Sequence, residues 1–281
     1  MNSYSLIKEQ IDAYETYLHT EERSRGTIEK YLRDIRAFAC WMRERPLTKE
    51  AAAEWKEHLR ILGYAPSTVN SMLAALNGFL SFLGLEEYRV KLLKIQRRLF
   101  RETDRELDRE EYSRLLATAE ALGQKRLALL METICATGIR VSEVQYITVE
   151  AVRKGRAEIA LKGKIRTILI PGKLARKLLK YAGKQKTASG EIFLTRNGKG
   201  LSRRQIWAEM KALCKHAGVA PSKVFPHNLR HLFAAVFYKA CKDIARLADV
   251  LGHASIETTR IYLMSSGREH VRQLERLGLV S

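Results

Sequence analysis

Pro226-His227-Asn228-Leu229-Arg230-His231, then Leu251-Gly252-His253, then Tyr262 nine residues further on: this stretch decides how the chain is read. His227 and Arg230 lie three residues apart on what should be one helical turn, so their side chains point the same way. Upstream stand Ala-Thr-Gly-Ile-Arg-Val-Ser-Glu at 136–143 and a Lys-Gly-Lys turn at 162–164. Arg140, Lys164, His227, Arg230 and His253 are donors suited to a phosphate whose charge grows during reaction, and a tyrosine hydroxyl can hold that phosphate covalently. The pattern predicts phosphoryl transfer on nucleic acid.

Composition points to the same partner. The 281 residues carry 50 Lys and Arg against 31 Asp and Glu, a net charge of +19. Such an excess favours a polyanion, because each neutralised phosphate releases counterions. Cys40, Cys135, Cys214 and Cys241 are far apart and show no Cys-x-x-Cys spacing. They read as reduced thiols in a cytoplasmic protein. No stretch approaches the roughly 20 apolar residues of a membrane span, and no export signal or extra N-terminal DNA-binding segment is expected.

A chain of this length predicts two domains. Ile28, Tyr31, Leu32, Ile35, Phe38 and Met42 recur at helical spacing, as do Val69, Met72, Leu73, Leu76, Phe79 and Leu80 after Pro66. With shorter helices near 5–19 and 49–62, residues 1–88 form a helical bundle. Residues 89–107 are densely basic and read as a linker, with Arg97, Arg98 and Arg101 set to track DNA backbone. The second domain, 108–281, is mostly helical, starting at an Asp108 N-cap, and a further helix follows Gly138. Arg156–Leu161 and Ile165–Ile170, joined across 162–164, give the one hairpin signal.

Each candidate has a plainer reading. Arg140 offers a planar fork to a phosphate, or simply a salt bridge with Glu143 one turn later; Glu143 in either case holds the guanidinium. His227 and His231 have the spacing of a zinc pair, but Asn228 replaces the glutamate of His-Glu-x-x-His and no ligand cluster accompanies them, so no metal is expected. Arg203, Arg204 and Gln205 open a helix capped by Ser202 and are candidates for reading base edges, although a capped amphipathic helix needs no DNA to explain it.

The order and spacing of these elements resemble the tyrosine recombinase (phage integrase) family over nearly the whole chain, and within it the compact, Xer-like integrases. The resemblance implies an N-terminal helical, SAM-like core-binding domain and a mostly helical catalytic domain with a small antiparallel sheet. It implies that Tyr262 is the nucleophile, that Lys164, with Lys162 as competitor, is the general acid for the leaving 5′ oxygen, and that His253 donates to the scissile phosphate. Double-stranded DNA recombination sites, a 3′-phosphotyrosine, a Holliday junction and a homotetramer exchanging its C-terminal tails would follow, with no cofactor. A type IB topoisomerase and a non-catalytic DNA-binding regulator on the same fold are the alternatives.

Overall fold

Small polar caps set the helix boundaries. Ser24, Thr48, Asp108 and Ser202 each stand in extended backbone before a helix and accept a backbone N–H from its first turn. Glu111 and Gln205 return the bond to the backbone of Asp108 and Ser202, two reciprocal capping boxes. The computed structural model describes residues 3–43, 45–95, 105–161, 164–253, 255–262, 271 and 275–277. The chain divides into two compact units, Met1–Arg97 and Arg98–Ser281.

The first unit is helical: α1 (Ser3–Thr20), α2 (Arg25–Met42), α3 (Lys49–Ile61) and α4 (Pro66–Phe82). Phe38, Trp55, Leu59, Leu73, Leu76 and Leu80 fill one core; Ile11, Tyr14, Leu32, Ile35 and Phe79 fill another beside it. Two asparagines of α4 extend this unit past its last helix. Asn77 Nδ2 donates to Val90 O and its Oδ1 accepts the Val90 N–H, both at 2.9 Å. Asn70 does the same for Leu93 at 2.9 and 2.7 Å. The segment expected to begin the linker at residue 89 is therefore docked on α4 through Leu93, because amide side chains supply the pairing that a neighbouring strand otherwise would. Arg97, Arg98 and Arg101 lie outside the described residues.

The second unit contains α5 (Arg109–Ala121), α6 (Lys125–Thr137), a 3₁₀ turn (Val141–Tyr146), α7 (Val149–Arg153), β1 (Arg156–Leu161), β2 (Lys164–Leu169), α8 (Gly172–Lys184), α9 (Arg203–Ala217), α10 (Pro226–Cys241), α11 (Ile244–Leu251) and α12 (Ile256–Arg260). Where a full helix was expected after Gly138, the chain makes only the 3₁₀ turn. The two strands pair antiparallel, Arg156 opposite Leu169 through Leu161 opposite Lys164. Lys164 is thus the first residue of β2, one place earlier than its β-rich run suggests.

Ala157, Ile159 and Ile168 face the main core with Leu115, Leu130, Ile134, Leu178, Ile206 and Leu229. A smaller cluster gathers Ala234, Leu247, Leu251 and Tyr262, flanked by Phe233 and Phe237. Helix α10 belongs to both, Leu229 to the first and Ala234 to the second. Among the described residues no helix is long and apolar enough to cross a membrane.

Replacing Asn77 with Ala strips the partners from the Val90 N–H and C=O, at a cost of about 1–3 kcal/mol. The urea midpoint followed by fluorescence of Trp41 and Trp55 should fall for Asn77→Ala and for Asn70→Ala. An unchanged midpoint for both would show that residues 90–93 are not held by α4.

Candidate active site

Helix α6 stops because Gly138 takes a left-handed conformation (φ 62°, ψ 21°) as its C-cap, where a side chain is strained. A Cβ there would also run into the Phe233 ring. The chain leaves in extended form and Arg140 caps the 3₁₀ turn. Its backbone N–H donates to Glu143 Oε2 at 2.8 Å and its Nη1 to Oε1 at 2.9 Å. The carboxylate is buried, 5% exposed, while the arginine side chain remains 42% exposed. Glu143 therefore anchors Arg140 twice, while Nη2 makes only a long contact of 3.5 Å to Gly252 O.

Arg230 is buried on α10, 2% exposed. Its Nη1 donates to Gly138 O, and its Nη2 to Leu251 O at 2.8 Å. These carbonyls end α6 and α11, where the helix dipole presents partial negative charge. Nη2 also lies 3.0 Å from His253 Nε2. A guanidinium has no acceptor, so His253 Nε2 must accept, and the ring proton sits on Nδ1. That nitrogen is 2.8 Å from Thr259 Oγ1, to which it donates. His253 is therefore neutral, and its pKa is pushed down to about 4 by burial first and then by Arg230, Arg140 and Arg166. Burial, with Arg230 and Arg140 behind it, also lowers that of His227.

Tyr262 follows α12 and is 3% exposed. Its ring stacks on His253 (centroids 5.8 Å apart, 13° between planes), meets the His231 edge at 4.4 Å and stands 6.3 Å from His227. A side-chain hydrogen bond joins it to Arg230. Arg140, Glu143, His227, Arg230, His253 and Tyr262, drawn from over a hundred residues of chain, thus share one pocket of contacts. His231, weighed above only as a metal ligand, packs against the tyrosine instead.

Arg166 was not anticipated. It reaches from β2 to both oxygens of Glu143, at 3.1 and 3.0 Å, and to Val250 O at 2.9 Å. Its pKa is lowered to about 10, chiefly by burial. One signal was available: a cation in register with the strand face that shows Ala157, Ile159 and Ile168. Thr259, which is fully buried, gave no such signal. The side chain of Lys164, and all of Lys162, lie outside the described residues. Arg203, Arg204 and Gln205 occupy the first turn of α9, outside this network. Gln205 Oε1 accepts from Ser202 N at 3.0 Å and from Ser202 Oγ at 2.9 Å, so a bidentate adenine contact would have to break the cap.

Comparison with known proteins gives this arrangement a context. Residues 105–269 match the phage integrase family, and residues 11–87 match the phage integrase N-terminal SAM-like domain. The tyrosine recombinase XerA of Thermococcus kodakarensis is 32% identical over 276 residues, covering 95% of this chain and 94% of that protein. The tyrosine recombinase XerC of Roseiflexus castenholzii is 31% identical over 282 residues, covering 91% and 88%. In fold, the chain is similar to a lambda integrase tetramer bound to a Holliday junction, with a TM-score of 0.73 at 19% identity over 91% of this chain and 76% of that one.

The neutral histidines give acid sensitivity a definite sign. Unfolded, His253 titrates near 6.5 and in the fold at about 4, so between these values the unfolded chain binds a proton that the folded chain refuses. Stability is fully present above pH 6.5 and falls as pH drops toward 4. His227, lowered by burial, acts in the same direction. The thermal midpoint should fall across this window, and less steeply in His253→Gln; identical acid profiles would remove His253 as a cause.

Proposed function

The chain belongs to the phage integrase family, and from that membership as a site-specific recombinase we propose that it breaks and rejoins DNA strands through Tyr262. The observation that carries this reading is the seating of that tyrosine against His253 and Arg230. The Tyr262 hydroxyl attacks phosphorus, an Oη–P bond forms, and the P–O5′ bond breaks. The phenolic proton passes to a neutral imidazole, His227, whose ring stands 6.3 Å from that of Tyr262, and the departing 5′ oxygen takes a proton from Lys164 or Lys162.

A tyrosine with an ordinary pKa near 10 is a poor nucleophile at neutral pH. Arg140 and Arg230 compensate by stabilising charge that develops on the non-bridging oxygens. For Arg230 this requires only that a phosphate oxygen replace His253 Nε2, since the two carbonyls that fix the guanidinium stay in place. His253, relieved of that contact, can reprotonate and donate to the phosphate, as the family resemblance implies. The 3′-phosphotyrosine conserves the energy of the broken diester, so neither metal nor ATP is needed to reseal it.

The freed 5′ hydroxyl attacks the phosphotyrosine of a partner duplex, exchanging strands through a Holliday junction on a homotetramer. The helical first unit and the basic residues 97, 98 and 101 supply DNA contacts that do not enter the chemistry, with Arg203 and Arg204 on phosphate. In the tail, Val271 and Leu277 are 53% and 60% exposed, which supports its exchange with a neighbouring protomer. A reduced, cytoplasmic setting fits four free thiols.

DNA recovered covalently attached in cells would give the site. With a nicked half-site of that sequence, the wild type should form an SDS-resistant adduct and Tyr262→Phe none; equal adduct from both removes the nucleophile. Arg140→Ala, whose side chain is half-open to solvent, should slow cleavage about 100-fold or more with binding nearly unchanged. A loss of binding as large as the loss of rate would move Arg140 from catalysis to docking.

A further inference from the structure

Among the described side chains on the buried face of the β ribbon, Arg166 is the only charged one; its neighbours there are Ala157, Ile159 and Ile168. It is 11% exposed. Packing gives no reason for an arginine here, since an apolar side chain of similar volume is often as stable as a buried ion pair or more so. The site also accepts a cost for it: Arg166 Nε is buried with no partner. Gly252 completes the enclosure, because a Cβ at that position would collide with Cδ and Nε of Arg166.

What Arg166 adds is a polar tie between the ribbon, which Ala157, Ile159 and Ile168 seat on the core, and the site. Arg140 keeps two bonds to Glu143 without it, at 2.8 and 2.9 Å. The ribbon is a two-stranded sheet, a structure of marginal stability by itself. Lys164 begins β2, two positions before Arg166, roughly 7 Å along the strand. Through Arg166 this strand is tied at once to the carboxylate that orients Arg140 and to the end of α11 that receives Arg230.

We propose that Arg166 is a positioning residue that locks the tip of the ribbon, with the lysine that protonates the leaving oxygen, to the phosphate-binding arginines. The inference rests on the recombinase reading above and concerns the leaving-group half of the reaction. Its signature is therefore a defect that vanishes when the leaving group needs no proton. In a half-site whose scissile O5′ is replaced by sulfur, Tyr262 attack breaks a P–S bond and the thiolate departs unprotonated.

Arg166→Met in the full chain should cleave the ordinary half-site about 100-fold more slowly than wild type, the order of loss for a misplaced acid. On the sulfur-bridged half-site it should come within about tenfold of wild type. Arg166→Lys, whose single ammonium cannot span Glu143 and Val250 O together, should show the same pattern with a smaller loss. It carries the comparison if Arg166→Met does not fold, as judged by its thermal midpoint. Equal slowing on both substrates, or no slowing on the ordinary one, overturns the inference. A wild type that forms no adduct with either substrate overturns the recombinase reading itself.

Discussion

Three guanidinium groups gather at one buried carboxylate, and two of them bond it. Arg140 and Arg166 both bond Glu143, while Arg230 is held by the carbonyls that close α6 and α11. The unliganded site therefore carries unbalanced positive charge in a partly desolvated place, where like charges repel more strongly than in water. The titration shifts express that repulsion. Arg166, Arg230, His227 and His253 are all displaced toward their deprotonated forms, first by burial, with neighbouring arginines adding to it and, at Arg166, the Glu143 carboxylate opposing it. The proposed scissile phosphate would reverse the sign of the problem: the same groups that repel each other would become its ligands, and the histidines would regain a reason to hold a proton.

Helix ends, rather than helix faces, place these charges. Gly138 and Gly252 are left-handed C-caps of α6 and α11, and each exposes carbonyls that a guanidinium can satisfy. Each also makes room by having no side chain, Gly138 for Phe233 and Gly252 for Arg166. Tyr262 belongs to a small apolar cluster with Ala234, Leu247 and Leu251, separate from the main core that fixes Arg140 and the ribbon. Arg140 and the ribbon thus rest on the larger cluster, while the proposed nucleophile belongs to the smaller one, to which Arg230 and Arg166 are tied through Leu251 O and Val250 O.

Much of this was legible in the residues. Helical periodicity located α2 and α4, polar caps located the starts of α5 and α9, and the paired β-rich runs located the ribbon. Arg140, Glu143, His227, Arg230, His253 and Tyr262 were readable because each sits in a local motif with its own spacing. The failures share a cause. Asn70 and Asn77 pair with backbone 13 to 23 residues away, Arg166 meets Glu143 across 23 residues and Val250 across 84, and Thr259 earns its place only once His253 has a tautomer. No periodicity or local motif encodes a partner that distant. Gln205 differs in kind: a local capping box engages the amide oxygen that was read as free for a base edge.

The distribution of charge separates two tasks that composition alone runs together. The excess of +19 is carried largely by exposed side chains, whose pull on DNA depends on counterion release and weakens with salt. The arginines around Glu143 are few and directed, and two of them, Arg166 and Arg230, are shielded, where charges are screened far less. Affinity for DNA and stabilisation of one phosphate therefore have different physical origins in this chain. A surface arginine can be lost to the first task at little consequence to the second, whereas Glu143, a single acidic residue, orients the cations on which the second depends.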